Sequence, residues 1–155
     1  MSTFRPSDID PDLHDLIRLF REFALKAQRY EQAALHPLAT TPARVHLLCE
    51  LFERGAISMQ SLAHSLSIAP RSVTSLVDAL EREGKVKRSA HPSDRRSTLV
   101  SLSPLGKKEA QAIGPKLRAH MGALFEILSE TERQSLFSSI QKLIARIDTK
   151  DRKSA

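Results

Sequence analysis

ISMQSLAHSLSIAPRSVTSLVDALEREGKV (residues 57–86) and KRSAHPSDRRSTLVSLS (residues 87–103) read in succession as a short helix, a turn, a second helix and a basic hairpin. Periodicity places the second helix: Val73, Leu76, Val77 and Leu80 recur at i, i+3, i+4 and i+7 and form one apolar stripe. Pro70 suits the first helical position, where its missing N–H costs no hydrogen bond, and Gly84 suits the stop just past the end. The opposite face carries Arg71, Ser72, Thr74, Ser75 and Asp78, clustered in the first two turns. A helix entering the major groove of DNA presents that N-terminal end to base edges. Upstream, Ser58 is expected to cap a helix whose Leu62, Ala63 and Leu66 point inward, the small Ala63 letting the two helices approach closely. The pair predicts a helix-turn-helix.

Beyond Gly84 the pattern changes. Val86-Lys87-Arg88 and Thr98-Leu99-Val100-Ser101-Leu102 read as two short strands around His91-Pro92-Ser93-Asp94, which has turn chemistry. This predicts a β-hairpin wing with Arg95 and Arg96 at its tip. A narrow minor groove concentrates negative potential and favours an inserted guanidinium, whereas the bland alternative is a solvated charged turn. Asp94 is unsuited to binding a polyanion and is expected to act as an intramolecular strut, pairing with an arginine or capping backbone N–H groups. Lys85, Lys87 and Arg88 stand between phosphate contact and plain surface. The candidate DNA-binding set is Pro70, Arg71, Ser72, Thr74, Ser75, Arg88, Asp94, Arg95 and Arg96.

The run LAHSLSIAPRSVTSLVDALEREGKV, the hairpin bearing Asp94-Arg95-Arg96 and the exit Leu102-Ser103-Pro104-Leu105-Gly106 together resemble the MarR family of winged-helix transcriptional regulators. The motifs cover about Thr41 to Gly106, and the flanking helices match by position and amphipathicity. The resemblance implies a homodimeric repressor or activator whose terminal helices form the dimer interface. It also implies release from DNA by a redox signal or a small molecule such as an aromatic effector, held between dimer arm and reading head. This chain has Ser67 where the family usually has Gly, and Ala69 where a Ser cap is usual. Ser75 and Ala79 stand where basic residues are common. These departures imply an uncapped, frayed or shifted start to the recognition helix and more of the affinity in the wing.

With 155 residues, 41% hydrophobic content and five Gly, the chain is expected to form one compact, mainly α domain over 1–155. Its winged helix-turn-helix core spans 42–102 with a small β-hairpin wing, flanked by dimerisation helices over 10–36 and 104–148, and 149–155 is read as a disordered tail. A net charge of +6 and a pI near 9.8 favour a polyanionic partner. One Tyr and no Trp argue against stacking platforms for single strands or RNA. No run approaches about 18 apolar residues and no signal-peptide core opens the chain, so no membrane is expected and the expected compartment is the cytoplasm.

Asp10-Pro11 opens a first helix with Leu13, Leu16, Ile17, Phe20, Phe23, Ala24, Ala27 and Tyr30 on its stripe. It should end near His36, because a residue before Pro37 is pushed out of the α region. Thr41-Pro42 starts a helix with Val45, Leu48, Leu51 and Phe52 inward, stopped by Gly55. Ser103-Pro104 opens a fifth helix toward Leu128, with Gly114-Pro115 expected to kink or interrupt it. Ser129 and Glu132 form a capping-box pattern for a last helix bearing Leu136, Phe137, Ile140, Leu143, Ile144 and Ile147. These terminal stripes exceed what the central motif can cover. A two-fold dimer would bury them and set two recognition helices about 34 Å apart on a pseudo-palindromic double-stranded operator, the alternative being a monomeric bundle.

Cys49 is the single cysteine, set between Leu48 and Leu51, and reads as a small apolar packing residue. The six histidines show no zinc-ligand spacing, and neither metal nor cofactor is expected. No phosphate loop, HExxH or nucleophile elbow occurs, and His91, Ser93 and Asp94 are too close in one turn to align as a triad, so no enzyme is expected. The rival function is a winged-helix protein-interaction adaptor without specific DNA binding.

Overall fold

A computed structural model of the chain describes residues 11–94 and 97–154. Arg95, Arg96 and the Asp10 cap lie outside the described residues. The first stripe builds α1 (Pro11–Leu35), which gives way to a 3-10 turn over His36–Leu38, as the proline at 37 requires. Next come α2 (Pro42–Arg54), the two-residue β1 (Ile57–Ser58), α3 (Met59–Ser65), α4 (Pro70–Arg82), β2 (Val86–Ala90) and β3 (Thr98–Leu102). Two long helices follow, α5 (Pro104–Ala123) and α6 (Glu130–Ser154).

Local chemistry accounts for most of these boundaries. Ser58 caps α3, its hydroxyl accepting from the Ser61 N–H at 3.1 Å. At the end of α4, Gly84 adopts φ +70°, and the Lys85 N–H reaches back to the Leu80 carbonyl at 2.8 Å. Ser67, in the turn between α3 and α4, has φ +52°, a left-handed conformation that a glycine would adopt without strain. The helix-turn-helix keeps its shape with serine at that position. Ala69 caps α4 without a side-chain bond, as the departure from the family pattern implies, yet the start is not shifted: the helix begins at Pro70, the position that the proline suits.

The sheet has the order β1-β3-β2 and is antiparallel throughout. The hairpin is in the expected place, with Arg88 opposite Val100 and Ala90 opposite Thr98. The third strand, β1, goes beyond the expected hairpin; at two residues it is too short to show alternation in the sequence. Its Ile57 pairs with Val100 and so carries the sheet back to the start of the helix-turn-helix. Under the sheet, Val73, Val77 and Leu80 of α4, each at 0% exposure, meet Leu47, Leu48 and Leu51 of α2, Leu62 of α3, and Val86, Val100 and Leu102. At roughly 1.5–3 kcal/mol for each fully buried aliphatic side chain, this cluster is the main source of stability for the reading head.

At Leu117 the chain divides into two compact units, residues 1–117 and 118–155. In the first, Leu35 is buried and Glu31 meets His46 Nε2 at 2.6 Å, so α1 joins α2 through its C-terminal end. The earlier turns leave Leu16, Phe20 and Phe23 about half exposed or more. In the second, the capping box forms: the Ser129 N–H donates to Glu132 Oε2 at 2.8 Å and the Glu132 N–H to Ser129 Oγ at 3.3 Å. Phe137, Leu143, Ile144 and Ile147 of α6 are exposed.

Four expectations need correction. Phe52 of α2, expected to face inward, is 44% exposed, and Leu47 takes the buried place beside Val45, Leu48 and Leu51. Of the kink or interruption expected at Gly114-Pro115, the interruption does not occur: a proline removes one intrahelical donor, and α5 runs through it as one helix. It ends at Ala123 rather than near Leu128, because bonds of the 3-10 type take over, with the Phe125 N–H donating to the Gly122 carbonyl at 2.9 Å and the Leu128 N–H to the Phe125 carbonyl at 3.2 Å. The segment 149–155, expected to be disordered, is helical through Ser154: no Pro or Gly stops α6, and the Thr149 hydroxyl bonds back to the Ala145 carbonyl at 3.0 Å.

Gly106 marks a tight junction, since a Cβ built there would overlap the backbone carbonyl oxygen of Lys85, whereas one at Gly122 meets nothing within 4 Å. Gly106→Ala should therefore cost about 1–3 kcal/mol, and Gly122→Ala should be neutral or stabilise by up to about 1 kcal/mol. Urea unfolding of the two variants checks the opposite signs.

Candidate nucleic-acid interface

The buried stripe of α4 leaves one face of that helix to solvent. Pro70, Arg71, Ser72, Thr74 and Ser75 all lie on it and are exposed, so the structure brings together the helix members of the candidate set. Their hydrogen-bonding states differ. Thr74 donates its hydroxyl to the Pro70 carbonyl at 3.1 Å, and Ser75 donates to the Arg71 carbonyl at 3.2 Å. Arg71 has no partner for its guanidinium among the described residues. Beside it lies an open hollow lined by Ala43, Ile68, Leu76 and Ala79 together with Arg71, Ser72 and Ser75.

Arg88 is placed differently from the rest. Its guanidinium, on β2, meets Asp78 Oδ1 at 2.5 Å and also pairs with Glu81, while its backbone N–H donates to Glu81 Oε1 at 3.1 Å. Burial acts against the Arg88 cation, but the hydrogen bonds it donates to Asp78 and then Glu81 outweigh it and hold the group firmly charged. The fork is thus engaged with two acids one helical turn apart on α4, and it ties the wing to the recognition helix. Asp78 and Glu81 stand at i and i+3 on one helix face, a spacing in the sequence that fits a shared cation and could have pointed to this role.

A second charged cluster holds the turn between α4 and β2. Lys85 Nζ lies 2.9 Å from Glu83 and 2.8 Å from Glu109 of α5, and Glu83 also pairs with Arg44 of α2. Hydrogen bonds from Arg44, then Lys85, hold the Glu83 carboxyl below its ordinary value of 4.5. Its contribution to stability is therefore in place above that value and is lost as the pH falls below it. Ser103 completes the junction. Its hydroxyl donates to the Gly84 carbonyl at 2.6 Å and accepts from the Gly106 N–H at 3.1 Å. Lys85 is consequently internal in role, whereas Lys87 is exposed on β2 with no ion-pair partner among the described residues.

At the wing tip the described part of the turn is organised by His91, which the sequence marks only as a turn former. His91 Nδ1 accepts the backbone N–H groups of Ser93 at 3.3 Å and Asp94 at 3.2 Å. The Ser97 N–H closes the turn onto the Asp94 carbonyl at 3.0 Å. Asp94 is exposed at this turn, and Arg95 and Arg96 follow it outside the described residues.

The arrangement is a recognition helix with a free polar N-terminal face, a hairpin bound to that helix by ion pairs, and a three-stranded sheet beneath. Among the described residues no group of three or more His, Cys, Asp or Glu side chains is placed to hold a metal ion. No described helix is long and apolar enough to cross a membrane.

Comparison with known proteins agrees with this architecture. The MarR family model matches residues 40–98. The multiple antibiotic resistance protein MarR of Salmonella typhimurium is 31% identical over 100 residues, covering 64% of this chain and 69% of the relative. The HTH-type transcriptional repressor MdtR of Bacillus subtilis is 25% identical over 114 residues, 74% of each chain. Among solved structures, a mutant MarR from E. coli complexed with operator DNA superposes with a TM-score of 0.75 at 26% identity, over 88% of this chain and 98% of that one. That family consists of transcriptional regulators and not of enzymes. With its helix-turn-helix, three-stranded sheet and wing in the family's order, this chain belongs to the MarR family of winged-helix transcriptional regulators.

Proposed function

We propose that the protein is a homodimeric repressor that binds a pseudo-palindromic double-stranded operator and leaves it when a small-molecule signal binds. The observation that carries this reading is the exposed N-terminal face of α4, with an Arg71 guanidinium that has no partner among the described residues and the wing fastened beside it by Arg88. α4 enters the major groove, and the turn with Asp94, Arg95 and Arg96 addresses the neighbouring minor groove. Operator binding by the E. coli relative and the repressor activity in the name of the B. subtilis relative support the same reading. A protein that acts on DNA in this way works in the cytoplasm. A small aromatic effector is the kind of signal that the family resemblance implies.

The two sets of exposed apolar side chains, on α1 and on α6, are the proposed dimer surfaces. Phe20 is 58% exposed and Ile144 52%, more than a soluble monomer leaves open in contiguous stripes. Contacts between two copies related by a two-fold axis cover each of them.

Binding to one duplex sequence at least about 10³-fold better than to random DNA at physiological salt is expected, and only weak association that salt erases would replace this reading with an adaptor role. Phe20→Glu combined with Ile144→Glu should give monomers by sedimentation at micromolar concentration, with operator affinity falling by at least tenfold. Arg95→Ala and Arg96→Ala should lower the slope of log affinity against log salt by about 0.9 for each phosphate no longer neutralised. Arg88→Met should weaken binding at unchanged slope, because its charge already serves Asp78 and Glu81.

A further inference from the structure

The exposed face of α4 holds few groups able to tell one base pair from another. Thr74 and Ser75 have each directed their hydroxyl hydrogen to their own helix backbone. Asp78 is held by Arg88. Ser72 offers a single hydroxyl, which pairs with several base edges alike. Ile68, Leu76 and Ala79 in the adjoining hollow supply no side-chain donor. Arg82, in the last turn, already donates its Nε–H to the Asp78 carbonyl at 3.3 Å. Among the described residues of this face, Arg71 alone, in the first turn, combines a planar fork that no described residue engages with the place on the helix that comes nearest the base edges.

From this we infer that Arg71 is the specificity-determining residue of the recognition helix and takes a guanine in each operator half-site through paired hydrogen bonds to O6 and N7. A guanine presents two acceptors side by side in the major groove, and a guanidinium matches them with two parallel N–H donors. The remaining positions under α4 are then read weakly, through hydroxyl and methyl contacts. This inference rests on the DNA-binding reading above, and its test separates the two.

The experiment begins with selection of duplexes bound by the full-length protein from a random pool. An invariant guanine in each half-site is expected. The selected duplex is then compared with its guanine-to-adenine and 7-deazaguanine versions, binding wild type and Arg71→Ala across a salt series. Wild type should lose about 5- to 150-fold on the adenine duplex and a smaller factor on the 7-deaza duplex, which lacks only N7. Arg71→Ala should bind all three within about twofold of one another and keep the wild-type salt slope. Because the Arg71 guanidinium has no partner among the described residues, the variant should unfold at the wild-type temperature. The 7-deaza duplex also tests the contact on the unaltered protein, whatever the variant's stability. A wild type that selects a site while Arg71→Ala retains its full base preference overturns the inference. So does a variant weakened equally on all three duplexes with a slope reduced by about 0.9 per contact, which marks Arg71 as a phosphate ligand. A wild type that selects no duplex at all overturns the regulator reading instead.

Discussion

Everything at the interface depends on which way α4 is turned, and burial of Val73, Val77 and Leu80 decides that. All three are fully buried against α2, α3 and the sheet, so rotating the helix by one residue, about 100°, would bring Thr74 or Asp78 toward an apolar core. A buried carboxylate or unpaired hydroxyl costs several times the energy of ordinary thermal displacement, and the orientation is correspondingly narrow. The exposed face is what remains. Arg71 and Ser72 are presented because their neighbours are pinned, and the precision of the presented face is inherited from packing beneath it.

The charges near that face divide into two groups. Arg44, Lys85 and Arg88 are taken up by Glu83, Glu109, Asp78 and Glu81, and these pairs join α2 to the turn that follows α4, that turn to α5, and β2 to α4, the Lys85–Glu83 pair lying within the turn itself. Arg71 and Lys87 have no such partner among the described residues. The net charge of +6 therefore overstates how evenly the chain offers cations to a polyanion. Exposed ion pairs add little stability singly, but a guanidinium gripped by two carboxylates on one helix fixes an orientation, and orientation is what the wing needs.

Periodicity makes α4 and its flanking helices plain in the sequence, because an amphipathic stripe of four residues and a proline at the first position leave few alternatives. The hairpin is equally plain from alternation around a turn-forming tetrad. Harder to see are features made by residues far apart in the chain. β1 is two residues long and gains its identity only from pairing with Val100. Arg88 groups naturally with the DNA contacts, since the i, i+3 spacing of Asp78 and Glu81 marks a place for a cation without showing that it is Arg88, ten and seven positions later, that fills it. The helical course of 149–154 is hidden for the opposite reason: polar composition suggests disorder, although lysine and arginine are good helix formers and nothing in the segment breaks the turn. Composition reports what a segment cannot bury and says less about whether a helix already under way will stop.

The junction at Gly84-Lys85 shows how strongly the end of α4 is bound to the start of α5. The Ser103 hydroxyl serves both the Gly84 carbonyl and the Gly106 N–H, the Ser103 N–H donates to the Lys85 carbonyl at 3.0 Å, and Lys85 Nζ reaches Glu109. Gly106 has no Cβ where that carbonyl passes, so α5 begins closer to the turn than any other residue would permit. These polar contacts and the steric constraint, all within a few residues, leave no soft element between α4 and the first turn of α5. A displacement of that turn must either carry the recognition helix with it or break hydrogen bonds costing about 0.5–1.5 kcal/mol each, and more where charge is involved. The end of α4 and the first turn of α5 are thus coupled directly, through Ser103 and Lys85 rather than through the length of the hairpin.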